Sequence, residues 1–547
     1  MYPMNQRLHK PEDESTYLLA VHLWLVFAAV FLIALLVRLR YAFTHPIPFS
    51  TDGAYYLMVA ENLSAGRGFV SDCVWQYLTG VPERLPIPSN SYWMPGTSVV
   101  AAAAFALAQS TAERVAQIPF LVFGALLCAL TSAVAGVLSR RVATAVLAGA
   151  LAALSQPLVF LSTYIESIMV AACFVNLSLL MLWLARRGRL AWALPAGVAA
   201  AIAYLTRTDG ALVVLVAMAA AIATSREKGP RSGLLMAGLF FLGFGLMAAP
   251  WWVRQTVAFG APSPAGALRT AFFTSFEDII RIDHSHLNLD AFLKADQMAA
   301  LRLRTKLILQ VLGELFEAAG LLIVPALFSL RHMVVRRTAR PWLLYIGIAL
   351  VIPALIFLYP TLGGGFRRLT PGLCPIIFAL AAAAVVSPSR TAGRLASFQR
   401  FTALALIVIG LGVQWFRPAR ELAENTHPPY PLVAAEAIAN LDPAPEVVFA
   451  DIAPRFYYAT HVPCVQFPVD GPAAALPLAE SLGIRYFVTT RYSLQKMSGM
   501  GAVESHPRFE KIAEYPGAFD GLLVFRIIPA EMPIVDSEET KSPRRDL

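Results

Sequence analysis

Reactive side chains in this sequence are gathered into a few short polar runs set among long apolar ones. The richest run is Pro48-Phe49-Ser50-Thr51-Asp52-Gly53-Ala54-Tyr55-Tyr56, continued by Ala60-Glu61-Asn62-Leu63 and Gly66-Arg67-Gly68-Phe69. A positioned carboxylate is a common general base, and Asp52 is the acidic side chain of the first run. Thr51 or Asp52 is equally well placed to do nothing more than cap a short helix from Ala54 to Leu63. A second carboxylate, Glu166, stands in Ser162-Thr163-Tyr164-Ile165-Glu166-Ser167 at the mouth of an apolar run. An acidic residue beside a membrane-length helix is a functional candidate, while a glutamate at a helix start is also favoured by the helix dipole alone. Arg367 and Arg368, within Gly363-Gly364-Gly365-Phe366-Arg367-Arg368-Leu369-Thr370-Pro371, carry planar donors matched to phosphate oxygens, or serve as headgroup anchors. Asp283, His284 and His286, with Asp290 nearby, have a spacing that can ligate zinc, but no further ligands are fixed and a solvated loop is the simpler reading. Arg207-Thr208-Asp209-Gly210 reads as a tight turn with a local ion pair, and Asn62-Leu63-Ser64 has the spacing of a glycan acceptor.

The elements that must position these residues are membrane helices. Of 547 residues, 57% are hydrophobic and 14% charged, far below the roughly 25% charged residues of a soluble domain. The first apolar run, Tyr17 to Val37, is too long for a signal-peptide core and lacks a small-residue cleavage site, so it reads as a retained anchor after a loose cytoplasmic N-terminus. The long loop Arg38 to Pro95 follows, too aromatic for disorder. Further apolar segments lie near 97–110, 117–138, 143–163, 165–185, 190–205, 210–223, 232–253, 307–330, 341–358, 369–386 and 400–416. The net charge of +9 comes from clusters in short connectors, Arg140 and Arg141, Arg186 to Arg189, Arg226 to Arg231, Arg331 to Arg340 and Arg390 to Arg400. This is the pattern of cytoplasmic loops rather than of a nucleic-acid surface. With the N-terminus cytoplasmic and the C-terminus outside, the number of crossings is odd, so one of the twelve segments does not cross; Thr97 to Gln109 is the expected re-entrant or interfacial piece. The fold class expected is an all-α polytopic membrane bundle of about 11–13 transmembrane helices, with the segments 38–95, 161–166, 254–305, 363–368 and everything past Arg417 gathered on the outer face.

After residue 416 the composition shifts toward a soluble domain. Glu446 to Asp451 and Ile484 to Thr490 read as buried strands, Pro472 to Leu482 as a helix between them and Gly521 to Ile527 as a closing strand. These make a small α/β extracytoplasmic domain over 417–528, with a charged, disordered tail over 529–547. Five cysteines lie at 73, 128, 173, 374 and 464, in no CxxC spacing. Cys128, Cys173 and Cys374 fall in apolar runs; Cys73 and Cys464 both face the outer side, which leaves a bridge between them open.

These motifs resemble the type C glycosyltransferases, membrane enzymes that take a sugar from a polyprenyl-phosphate carrier, in the branch of the protein mannosyltransferases and aminoarabinose transferases. Asp52-Gly53-Ala54-Tyr55-Tyr56 matches the acidic start of that family's first outer loop, Ala60 to Phe69 its A-x-N-L-x-x-G-x-G-F pattern, and Tyr92-Trp93-Met94-Pro95-Gly96 its aromatic and proline closure. Glu166 matches a second outer carboxylate. Pro250-Trp251-Trp252-Val253-Arg254-Gln255 resembles a bacterial P-W-x-x-R-N stretch, with Gln255 in place of Asn, and Gly363 to Pro371 resembles an R-Y-x-x-P loop, with Leu369 where tyrosine is expected. The resemblance implies a membrane glycosyltransferase, inverting and moving a hexose or pentose, in the inner membrane. Its donor would be a polyprenyl-phosphate-linked sugar and its acceptor a lipid, a glycan or a protein. Asp52 would be the base, Glu166 would position the acceptor or share a divalent cation with Asp52, and Tyr55, Tyr56, Trp93, Arg367 and Arg368 would contact substrate. No nucleotide site is expected, and no nucleic-acid partner. The two other readings are a transporter or flippase, which would carry inverted repeats, and a membrane-anchored assembly protein.

Overall fold

In the computed structural model the described residues are 12–48, 50–263, 269–273, 275–294, 297–335, 339–356, 363–386, 394–416, 430–441, 444–516 and 521–529. The tail 530–547 and the segment 417–429 lie outside them. Among them, seven helices are long and apolar enough to cross a membrane and five more are shorter apolar helices, one for each apolar segment of the sequence. The chain is a polytopic helical bundle.

Helix α1 (Glu12–Thr44) leads to α2 (Thr51–Ser64), α3 (Gly96–Ala108), α4 (Glu113–Ser139) and α5 (Val142–Leu154). A short α6 (Gln156–Leu161) precedes α7 (Ser167–Arg186), α8 (Ala193–Thr206), α9 (Leu212–Lys228) and α10 (Pro230–Phe259). After α11 (Leu289–Lys294) come α12 (Gln297–Ala319), α13 (Ile323–Val335), α14 (Arg340–Ile356), α15 (Gly363–Val386) and α16 (Arg394–Phe416). The first helix runs past Arg38, where the apolar pattern stops, to Thr44. It can do so because Arg38 is fully buried and donates to the Ser162 hydroxyl, the Ala34 carbonyl and the Cys128 sulfur, which satisfies a charge that hydropathy alone would expel.

Two ends of the bundle can be told apart. At one end the basic connectors meet: Arg186 pairs with Glu227 at 2.8 Å, Lys228 donates to the Arg186 carbonyl, and Arg141 donates to the Val386 carbonyl. The opposite end carries the irregular segments. Helix α3 starts there, with Gly96 against Thr206, and α4 starts there too, with Arg114 donating to the Ala42 and His45 carbonyls. Both ends of α3 therefore lie at this end of the bundle. Close helix packing is set by small residues, as usual where no hydrophobic effect operates between helices. A Cβ on Gly197 would fall 2.0 Å from the Phe240 carbonyl oxygen, and one on Gly243 would fall 2.2 Å from that of Leu194.

The C-terminal part holds α17 (Tyr430–Ala439), α18 (Ala453–Thr460), α19 (Pro472–Leu482) and α20 (Arg491–Lys496), with β4 (Val448–Ala450), β5 (Cys464–Gln466), β6 (Tyr486–Thr490), β7 (Phe509–Tyr515) and β8 (Leu522–Ile527). The loop between α2 and α3 adds β1 (Val70–Ser71), β2 (Cys73–Val74) and β3 (Ile87–Pro88). Strand β2 joins the C-terminal sheet, whose order is β2-β5-β4-β6-β8-β7, parallel across the first four and antiparallel across the rest. The sheet is thus completed by a strand from the first loop. Tyr77 just beyond β2 donates its hydroxyl to the Gln466 carbonyl, and Tyr55, Trp75, Val448 and Val524 share one apolar cluster.

Candidate active site

The candidate site residues lie where three connectors meet at the irregular end. Ser50, and neither Thr51 nor Asp52, caps α2: its hydroxyl accepts from the Gly53 N–H at 2.9 Å. Asp52 therefore sits in the first turn of α2 and is not its cap. A Cβ on Gly53 would lie 3.4 Å from the Ile165 carbonyl oxygen, so the backbone beside Asp52 meets the backbone beside Glu166. Glu166 is buried, 4% exposed, and occupies the N-cap position of α7 without a side-chain capping bond. The neighbouring Ser167 hydroxyl accepts from Arg207, whose guanidinium also grips Asp209 at 2.8 Å. The ion pair read from the sequence in Arg207-Thr208-Asp209 is present, and it lies beside the second carboxylate.

The turn bearing Glu166 is held from below. Arg38 binds Ser162, Gln117 donates to the Thr163 carbonyl at 2.7 Å, and Gly124 leaves the room required, since a Cβ there would lie 2.1 Å from the Ser162 hydroxyl. Sequence reading assigned Arg38 to the loop and missed this role. The available signal was an arginine near an apolar run, which is usual only with internal partners.

The aromatic residues are stacked behind Asp52. Tyr55 and Tyr56 are 2% and 3% exposed. Trp93 packs 4.5 Å from Tyr55, 5.9 Å from Tyr56 and 3.7 Å from Trp75, centroid to centroid, the last stacked. Burial raises the Tyr55 phenol well above its ordinary range, and its oxygen accepts from the Asn90 N–H. Both tyrosines serve as packing that supports the loop, and Trp93 is the half-buried member.

Arg254 was read within a motif and not as a site residue. It donates to the Phe69 carbonyl, faces the rings of Phe69, Trp251 and Phe259 at 5.0–5.6 Å, and its neighbour Gln255 donates to the Asn90 carbonyl. The stretch 250–255 thus braces the first loop. Arg367 and Arg368 fall in the first turns of α15, where a loop was expected; their side chains lie outside the described residues.

The D-H-x-H run does other work. His286 pairs with Asp278 at 3.1 Å, His284 contacts the Asp278 carbonyl, Asp283 accepts from the Ser285 N–H and Asp290 pairs with Lys294. Among the described residues no three His, Cys, Asp or Glu side chains gather to hold a metal. Asn62 is fully buried and donates to Val70 and Asp72, so it is closed to glycan attachment.

No family model matches this sequence, and no curated protein matches it either. Solved structures do. The oligosaccharyltransferase of Archaeoglobus fulgidus, in complex with Zn and sulfate, superposes with a TM-score of 0.53 at 15% identity, covering 92% of this chain and 74% of that one. The same archaeal enzyme, AglB, in complex with an inhibitory peptide and a dolichol-phosphate gives 0.51 at 12% identity over 90% of this chain and 73% of that one. ArnT from Cupriavidus metallidurans, bound to undecaprenyl phosphate, gives 0.50 at 14% identity over 93% of this chain and 97% of that one. The chain shares the fold of these solved structures. In this fold Asp52, in the first turn of α2, and Glu166, at the N-cap of α7, adjoin a close approach of the Gly53 and Ile165 backbones.

Proposed function

We propose that this chain is a membrane glycosyltransferase that moves a sugar from a polyprenyl-phosphate carrier to a lipid, glycan or protein acceptor on the extracytoplasmic face. The observation that carries the reading is the approach of the Gly53 and Ile165 backbones, which adjoin Asp52 and Glu166, with Arg207 on the neighbouring Ser167, at the end of the bundle opposite the basic connectors. In this reading the basic connectors are cytoplasmic, as the positive-inside rule favours, and this end, both carboxylates and the C-terminal sheet are outside.

In this reading Asp52 takes the proton from an acceptor hydroxyl or amine. The acceptor atom bonds to the anomeric carbon as the bond from that carbon to the phosphate oxygen breaks, with inversion, and the electron pair leaves with the phosphate. Arg367 and Arg368 hold that phosphate through planar charge-assisted hydrogen bonds. Trp93 borders the sugar, with Tyr55 and Tyr56 fixing its position. Glu166 orients the acceptor. Two carboxylates on adjoining loops also fit a divalent cation completed by the donor phosphate and water, which would neutralise phosphate charge. The carrier's tail has a complementary surface: an entirely apolar groove of about 290 Å³ between α7 and α8, lined by Phe174, Leu177, Met181, Leu194, Val198 and Ile202 among others.

The test is transfer by purified protein, supplied with a radiolabelled polyprenyl-phosphate sugar and a panel of lipid, glycan and peptide acceptors. Asp52→Asn is expected to lose transfer while still binding the carrier. An Asp52→Asn protein as active as the wild type would end this mechanism.

A further inference from the structure

The two cysteines outside the membrane helices lie opposite one another. Cys73 on β2 and Cys464 on β5 are direct partners in the parallel register. Adjacent strands are about 4.7–4.9 Å apart, which falls within the Cα separation of 4.4–6.8 Å that a disulfide requires. Residues paired in register project from the same face of a sheet, and both side chains are fully buried in the same apolar cluster. Both thiols are free, and the Cys464 thiol donates to the Ala453 carbonyl at 3.1 Å; burial, then the neighbouring Cys73 thiol, holds the Cys464 thiol above its ordinary range. Their strands come from the two parts of the chain that meet at the site, since β2 follows α2 and Asp52, whereas β5 belongs to the C-terminal sheet.

We infer that Cys73 and Cys464 are joined by a disulfide in the working protein, a covalent staple between the loop that carries Asp52 and the C-terminal sheet. This rests on the proposed extracytoplasmic placement of the sheet, because disulfides persist in oxidising compartments. The oxidant is a disulfide donor, a protein or a small molecule. One thiolate of the pair attacks a donor sulfur to give a mixed disulfide and release one donor thiol. The second thiolate then displaces the remaining donor sulfur, so two cysteine thiols become one disulfide and the donor disulfide becomes two thiols. Since neither thiol is exposed in the finished fold, the exchange belongs to the stage when β2 is docking onto β5.

The experiment is peptide mapping of the full chain purified from membranes, denatured and alkylated without reductant. Expected are a Cys73–Cys464 linked peptide that disappears on reduction, and alkylated Cys128, Cys173 and Cys374. Those three line the membrane helices and act as an internal control. Cys73→Ser is expected to leave Cys464 alkylated and to abolish the linked peptide; if that variant fails to accumulate, the wild-type map alone decides. Five alkylated cysteines in the protein as isolated overturn the inference. Treating that reduced protein with oxidised dithiothreitol during refolding in detergent then tells where it failed. Formation of the linked peptide puts the error in the compartment, and its absence puts the error in the geometry. Because none of these readouts uses sugar transfer, they stay separate from success or failure of the proposed reaction.

Discussion

The attachment of the first loop to the C-terminal part centres on Asp72, and Asp72→Ala is the most informative perturbation of it. Asp72 is 8% exposed and accepts from Asn62 Nδ2 at 2.9 Å and from the Tyr457 hydroxyl at 3.1 Å. Arg67 approaches at 3.6 Å but is half exposed, so its pairing adds about 0–1 kcal/mol. Hydrogen bonds to a charged acceptor are worth about 1.5–3 kcal/mol each. Asn62 keeps the Val70 carbonyl as a second partner at 3.0 Å, whereas truncation leaves the Tyr457 hydroxyl without this acceptor. The expected net cost is about 3 kcal/mol, one charged bond plus one orphaned donor. It should appear as local opening: amide exchange in 62–74 and in α18 should accelerate roughly a hundredfold, with the membrane helices unaffected. Hydrogen-exchange mass spectrometry in nanodiscs reads both segments. Adding Tyr457→Phe to Asp72→Ala removes the orphaned hydroxyl and should recover about 1 kcal/mol, a coupling that a double-mutant cycle isolates. Exchange within threefold of the wild type in both segments would refute the reasoning.

Three further outcomes are expected. Asp52→Asn should lower transfer by about 10²–10⁴-fold, the usual worth of a general base; Ser50→Ala should cost about 1 kcal/mol in stability, because Ser50 supplies the helix cap. Gly197→Ala should destabilise the packing of α8 on α10, since the new methyl would meet the Phe240 carbonyl at 2.0 Å; a detergent melting curve unchanged from wild type would contradict it. The Tyr55, Tyr77, Tyr457 and Tyr458 phenols are all raised, first by burial, with Asp72 adding for Tyr457 and Glu113 for Tyr458. Folded pKa values above the unfolded value of about 10 mean that this stability is full below pH 10 and is lost above it, as the unfolded chain ionises first. Absorbance at the phenolate band should therefore lag that of free tyrosine and rise together with unfolding.

The residues of this chain determine by themselves what is local. Hydropathy marks twelve apolar segments, all of them helical, with 143–163 broken between α5 and α6 and 307–330 between α12 and α13, because transfer of apolar side chains into lipid depends on composition over one stretch and on little else. Pro472 to Leu482, with proline at its start and Gly483 after its end, was legible as a helix for the same kind of reason. Glu446 to Asp451 and Ile484 to Thr490 announced strands, now trimmed to Val448–Ala450 and Tyr486–Thr490. Strand β5 was not foreseen, being three residues long, and β2, at two residues, has no signal of its own. Its strand character exists only because β5 offers an unpaired edge, and that edge is built from residues at the other end of the chain.

The site shows the same division. Residue types named Asp52 and Glu166, but which side chain caps α2 depends on backbone angles at Ser50, which place Asp52 in the first turn instead. Whether the two carboxylates lie on one face of the bundle was decided by packing that no local pattern encodes. Arg38, buried between α1, α4 and the Ser162 turn, ties the segment that leads to Glu166 to α1 and α4. A buried guanidinium tolerates only the position in which its donors are all met, so its partners, drawn from three separate segments, set the geometry that the sequence left open.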